Sequence, residues 1–228
     1  MNIETPRPGI YPGVKFEEYA QWQAVNNSLL SQVLRSPAHA RHYMTAPQEP
    51  TDAMEFGSAF HCAILEPDSF RSRYVKAPVI DRRTKAGKDA WTEFQAANGD
   101  KIALTSEEWD QCEAMRASVW LYSTFGKSLL GGAGRNEISA VWTDSVTGEL
   151  CKGRVDRLAR VGAWPTLVDV KTTTDARWDA FSRTITKYGY HRQAAFYMDG
   201  LSTLAKADRH PGRAAAHDRG HGSVSTEG

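Results

Sequence analysis

The sequence predicts an α+β (mixed α/β) protein, and three observations carry that prediction. Apolar residues recur at helical spacing over much of residues 15–130, and three runs rich in Val, Ile, Thr and Trp follow between residues 136 and 173. Helical spacing then returns up to about residue 205. The short turn segments SVTG and VGAWP between the three runs imply a three-stranded antiparallel meander flanked by helices, with a helical N-terminal half ahead of it.

Residues 1–14 carry Pro6, Pro8, Gly9, Pro12 and Gly13 and read as an extended N-terminal segment. FEEYAQWQA is a short amphipathic helix candidate. Asn27 or Ser28 is placed to cap SLLSQVLRS, and Ser36 with Pro37 at the first helical position starts a helix through AHARHYM. Residues 45–51 read as a loop. DAMEFGSAFHCAILEP combines small Gly57, Ser58 and Ala59 with apolar Met54, Phe56, Phe60, Ile64 and Leu65, which suits a closely packed helix stopping before Pro67. Between Arg71 and Lys88 seven basic residues face one acid, Asp81, in a local basic cluster. T-S-E-E at Thr105 has the spacing of a capping box for a helix through WDQCEAMRASVWLYSTF. The strand candidates are NEISAVWTD, GELCKGRVDRLAR and TLVDVKTT, and the closing helices are DARWDAFSRTIT and YHRQAAFYMDGLSTLA. From Lys206 large apolar residues almost vanish, so residues 206–228 are expected to be a disordered tail.

Composition excludes several classes. Of 228 residues, 41% are hydrophobic, enough for a sizeable core, and 28 Lys and Arg against 27 Asp and Glu give no global bias toward a polyanionic partner. No segment approaches the ~18 uninterrupted apolar residues of a membrane span, and the N-terminus lacks the blocks of a secretion signal, so no membrane partner and a cytoplasmic location are expected. Cys62, Cys112 and Cys151 form no C-x-x-C pair, which argues for packed, reduced thiols over a disulfide framework, zinc site or iron–sulfur cluster. FGKSLL contains G-K-S, but a phosphate-binding loop needs Gly where Leu121 stands.

The chemistry concentrates in two strands. With period two, Leu167, Asp169 and Lys171 share one face of LVDVKTT, and Lys152, Arg154, Asp156 and Leu158 share one face of KGRVDRL. Across the VGAWP turn Asp156 and Asp169 lie nearly equidistant from the loop centre and can become cross-strand neighbours. Two adjacent carboxylates stay ionised most readily around a divalent cation. From spacing alone the pattern fits equally a structural ion pair on an exposed sheet face.

An acid, a turn, then D-x-K closing an apolar strand before a helix matches the core of the PD-(D/E)XK nucleases. Taken in order, GSAFHCAILEP, NEISAVW, KGRVDRL, LVDVKTT and YGYHRQAAFYMDG resemble the RecE-type exonucleases of prophages (the exonuclease VIII family), relatives of the RecB and lambda exonuclease nuclease domains. The likeness runs from NNSLLSQVLRSPAHA to FYMDG. It implies one exonuclease-like domain over 15–205, with its helical part at 15–130 and its sheet and motif helices at 136–205.

The resemblance also implies roles. His61, Asp156, Asp169 and the carbonyl of Val170 would hold Mg2+ or Mn2+. Lys171 would orient the attacking water and offset charge on the phosphate, and Glu137 stands where the family has an acid on the first strand. Gln193 and Tyr197 match a Q-x-x-x-Y motif that touches DNA or braces the site, and Arg82, Arg83 and Lys85 would suit phosphate contacts. Bland readings stay open beside these: a core histidine for His61, a surface strand carboxylate for Glu137, a helix surface for Gln193 and Tyr197, and a solvated loop for the basic cluster. The implied activity is Mg2+-dependent 5′ to 3′ degradation of linear double-stranded DNA in phage-type recombination. Implied partners are a single-strand annealing protein and further copies in a homo-oligomeric ring. A non-catalytic DNA-binding or assembly module of a prophage and a restriction-type endonuclease are the competing readings. The helical pattern stops near Leu204, where relatives continue with a strand and helix, so a truncated or frame-shifted C-terminus is expected.

Overall fold

The computed structural model describes residues 4–46 and 49–209. In chain order the elements are β1 (Gly9–Tyr11), α1 (Phe16–Gln21), α2 (Asn27–Val33), α3 (Pro37–Thr45), α4 (Asp52–Leu65), α5 (Pro67–Arg73), β2 (Tyr74–Lys76), α6 (Lys85–Asn98), β3 (Ile102–Leu104), α7 (Ser106–Tyr122), α8 (Thr124–Gly131), β4 (Gly134–Thr143), β5 (Leu150–Val161), β6 (Trp164–Val168), α9 (Trp178–Tyr188) and α10 (Tyr190–Arg209). The mixed α+β class follows. The expected three-stranded meander is instead a four-stranded antiparallel sheet in the order β1-β4-β5-β6. Its extra strand comes from the segment expected to be merely extended, with Gly9, Ile10 and Tyr11 opposite Val141, Ala140 and Ser139. Three residues between prolines are too few to show a period. The same brevity hid the parallel pair β2 and β3, with Tyr74 opposite Ile102.

Helix starts follow cap chemistry. Ser36, Thr51, Thr84 and Ser123 each accept a backbone N–H of the first turn, and Thr105 and Glu108 form the expected reciprocal capping box. The cap of α2 is Asn26 rather than Asn27 or Ser28, and its side chain accepts from Leu29 N at 2.8 Å. Pro67 ends α4 as expected and at once begins α5, because a proline is tolerated at the first helical position. Part of the basic cluster read as a loop is therefore helical. The tail expected from residue 206 is still α10 up to Arg209, and residues 210–228 lie outside the described residues.

The chain divides into two compact units. Among the described residues one comprises 4–46, 138–154 and 177–209, the other 49–137 and 155–176. In the first unit α10 contributes Phe196, Tyr197, Leu201 and Leu204 to a cluster with Ala140, Trp142 and Cys151. Gly200 permits this approach, since a Cβ there would meet the Trp142 ring at 2.5 Å. In the second unit α4 supplies Ala59, Phe60, Cys62, Ala63, Ile64 and Leu65 to a core completed by Phe70, Tyr74, Leu104 and Cys112. Burying one side chain such as Phe70 contributes about 1.5–3 kcal/mol. All three cysteines are free and buried, and burial pushes each thiol up to about 11. Among the described residues no helix is long and apolar enough to cross a membrane.

The first unit also buries a cation. Lys152 is 4% exposed, and its Nζ donates to the carbonyls of Tyr19 (2.9 Å), Ala20 (3.1 Å) and Trp22 (2.7 Å) while lying 4.7 Å from the Tyr19 ring centre. These carbonyls close α1, where the helix has unpaired acceptors and its dipole is negative. Burial pulls Lys152 down to about 8, and the three acceptors and the ring work against that pull. Replacing it by methionine (Lys152→Met) preserves volume but strands the acceptors. The urea midpoint should fall by the equivalent of about 2–3 kcal/mol, and an unchanged midpoint would show that the lysine contributes nothing net.

Candidate metal centre

The second unit brings three distant segments together. His61 lies in α4, whose neighbouring Phe60 and Cys62 face the core, so the imidazole sits at the edge of that core and stays partly exposed. Asp156 lies in β5, where Val155, Arg157 and Ala159 are buried and Arg154, Asp156 and Leu158 form the partly exposed alternate face. Glu137 lies in β4 with φ of +52°, the one non-glycine residue in the left-handed region among the described residues. That conformation costs an L-residue about 1–2 kcal/mol, and it interrupts the regular pleat of the strand.

Potential ligand atoms of His61, Glu137 and Asp156 all lie within 4.8 Å of one another. Around an octahedral ion with bonds of about 2.1 Å, ligands are separated by roughly 3.0 to 4.2 Å. At most one pair of the three can be trans, so the cis pairs would close by up to about 2 Å around one ion. One imidazole nitrogen and two carboxylates suit Mn2+ and are compatible with Mg2+. The donor set fits the group that the sequence pattern implies.

Asp169 and Lys171 flank this trio. The strand expected to run through residue 173 ends at Val168, and the last ladder pair is Arg157 opposite Val168. Continued by one step, that register would set Asp156 against Asp169, the expected neighbours. The ladder stops because Asp156 Oδ2, not a backbone carbonyl, accepts the Val170 N–H at 2.6 Å. Asp169 and Lys171 consequently leave the pleat, and Lys171 Nζ pairs with Asp169 Oδ2 at 2.6 Å. Gly162, at φ +60°, takes the left-handed position in the two-residue turn between β5 and β6, and Pro165 is tolerated because β6 is an edge strand.

The other sequence-predicted residues have definite places. Gln193 and Tyr197 lie one turn apart on α10 in the first unit, with Gln193 Nε2 donating to Tyr197 Oη at 3.4 Å, and the Tyr197 ring covers Gly153. In the second unit the Arg82 guanidinium lies 4.6 Å from the Trp91 ring centre, and Lys85 opens α6. Arg83 binds Asp81 and holds its carboxyl below the usual range. Sequence reasoning passed over Asn136 and Arg157. The signal was present: Arg157 interrupts an otherwise apolar face, Val155 and Ala159, of a central strand.

The model of a family described as a PDDEXK-like domain of unknown function (DUF3799) matches residues 26–217. No curated protein sequence matches the chain.

Asp156 is 14% exposed, and its carboxyl is pushed up to about 6, first by burial and then by the charge of Asp169; His61, the Val170 N–H and Lys171 act in the opposite direction. In an unfolded chain the group titrates near 3.8. With the folded value raised, its contribution to stability is fully present below pH 4 and is lost as pH rises through 6. Above that the buried anion costs about 3 kcal/mol. In EDTA at pH 7.5, Asp156→Asn should therefore melt about 5 °C or more above the wild type, with the difference shrinking toward pH 4. An asparagine variant that melts lower at pH 7.5 would refute this account.

Proposed function

The chain belongs to this family of PDDEXK-like domains, and on that premise we propose that it is a metal-dependent nuclease acting on linear double-stranded DNA. The observation that carries the reading is the convergence of His61, Glu137 and Asp156 within 4.8 Å, with the Asp169–Lys171 pair following directly from the same hairpin. A structural ion pair would need one acid and one base. Here His61 and Glu137 gather around Asp156, a carboxylate that burial disfavours, an arrangement better suited to holding a divalent cation.

In this reading the carboxylates of Asp156 and Glu137, the imidazole of His61 and the carbonyl of Val170 present the donors for Mg2+ or Mn2+. Asp169 stands beside them as a further acid. A cation held there would supply Lewis acidity toward a phosphate oxygen and toward water. The Val170 N–H fixes the orientation of the Asp156 carboxylate. Asp169 holds the Lys171 ammonium, which directs its charge to the water and to the oxygens of the phosphate as they gain negative charge. The exposed bases Arg82, Arg83 and Lys85 are suited to phosphate contacts that position the strand without reading its sequence. Degradation from 5′ ends, action with a single-strand annealing protein and a ring of identical copies belong to the same proposal, supported by the motif resemblance.

The test is release of acid-soluble nucleotides from linear double-stranded DNA in Mg2+ or Mn2+. Lys171→Ala should lower the rate by roughly a hundredfold or more, and EDTA should abolish it. End-labelled substrates should lose the 5′ label first, and covalently closed circles should survive. Cleavage of circles at the same rate would make the protein an endonuclease. Absence of metal-dependent release from folded protein would leave a catalytically inactive remnant.

A further inference from the structure

The chain neighbours of two ligands are bound to each other. Asn136, which precedes Glu137, accepts at Oδ1 from Nη1 of Arg157, which follows Asp156, at 2.5 Å. The Nδ2 of Asn136 donates to the carbonyl of Leu65 at 2.5 Å. Leu65 lies one helical turn beyond His61 on α4. Arg157 is 5% exposed and also donates to the carbonyls of Leu129 (Nε, 2.7 Å) and Gly132 (Nη2, 2.5 Å), at the end of α8 just before β4. Gly134 is kept bare by this arrangement, because a Cβ there would stand 2.9 Å from Arg157 Nη2 and 2.7 Å from the Leu158 carbonyl oxygen. The three segments that carry His61, Glu137 and Asp156 are thus cross-linked by one polar network in which every side-chain nitrogen and oxygen of Arg157 and Asn136 has a partner, on the face of β5 opposite the ligands.

Such a network has one geometry. An arginine without its acceptors would be costly to bury, and apolar side chains in its place would tolerate slips of a few tenths of an ångström. The ligand trio has little such tolerance. The left-handed backbone of Glu137 also needs neighbours that over-determine it, and Asn136 is bound on both of its polar atoms.

We propose that Asn136 and Arg157 are positioning residues, a clamp that sets the spacing of His61, Glu137 and Asp156 and thereby the affinity of the centre for its ion. The inference rests on the metal-site reading, and its test separates the two. Mn2+ uptake is followed by electron paramagnetic resonance of the free ion, well below each variant's melting temperature. Asn136→Ala, Asn136→Ser and Arg157→Lys are compared with the wild type, and Phe70→Leu, a core change in the same unit, serves as a destabilised control.

Each clamp variant should weaken Mn2+ binding about tenfold or more. The Asn136→Ala/Arg157→Lys double variant should lie close to the weaker single, because both break one clamp. On a His61→Ala background, Asn136→Ala should cost less than on the wild type, since the arm to α4 then has no ligand to place. If the wild type takes up no Mn2+, the metal-site reading fails and the clamp with it. If the wild type binds but folded clamp variants bind within about twofold of it, or Phe70→Leu weakens binding as much, the clamp is overturned while the metal site stands.

Discussion

The Asp156 carboxylate, largely withdrawn from water in the middle of β5, takes the Val170 N–H at 2.6 Å in place of a backbone acceptor. Most other features of the centre depend on that bond. It ends the β5–β6 ladder one pair early, and it frees Asp169 and Lys171 from the pleat so that they meet at 2.6 Å. It also satisfies one lone pair of a buried anion that lies 3.6 Å from His61 Nδ1. A buried carboxylate is costly when isolated. Its surroundings here offset the cost only in part, as the raised pKa of about 6 records.

The KGRVDRL stretch of β5 carries three cations besides this acid, and each is already committed to acceptors within the protein. Lys152 closes α1, Arg154 donates to the Val14 carbonyl and to Ser139 Oγ, and Arg157 reaches Leu129, Gly132 and Asn136. Read as charge alone, KGRVDRL looks like a surface for a polyanion. The contacts assign its bases to the scaffold instead, because a buried ammonium or guanidinium is stable only where carbonyls replace its water. Outside the strand, Arg82, Arg83 and Lys85 are exposed to solvent.

Membership of the PDDEXK-like family agrees with this centre and narrows the chemistry it can support. The family description stops short of a substrate. The distinction between nuclease and inert relative therefore falls on the ligand geometry, and geometry at this scale is set by groups outside the ligand sphere as much as by the ligands. Asn136 and Arg157 matter for that reason, and so does the unusual backbone of Glu137.

The α+β class, the helix caps at Ser36 and Thr105, the long strands β4 and β5, and the nearness of His61, Asp169 and Lys171 to Asp156 were legible in the sequence, the elements because periodicity and capping act over neighbouring residues. The three-residue strands β1 to β3 were not, because a run that short has no period. Alternation placed Asp169 and Lys171 on one strand face, whereas the Asp156 side chain, fourteen residues before Val170, ended that strand before them. Glu137 stood in sequence as a strand carboxylate of uncertain use, and only its tertiary neighbours gave it a left-handed backbone within reach of His61 and Asp156. Local patterns of the chain determined which groups exist and which elements carry them. The distances among those groups were decided by contacts between residues far apart in sequence, such as Asn136 with Leu65 and Arg157, which no local pattern encodes.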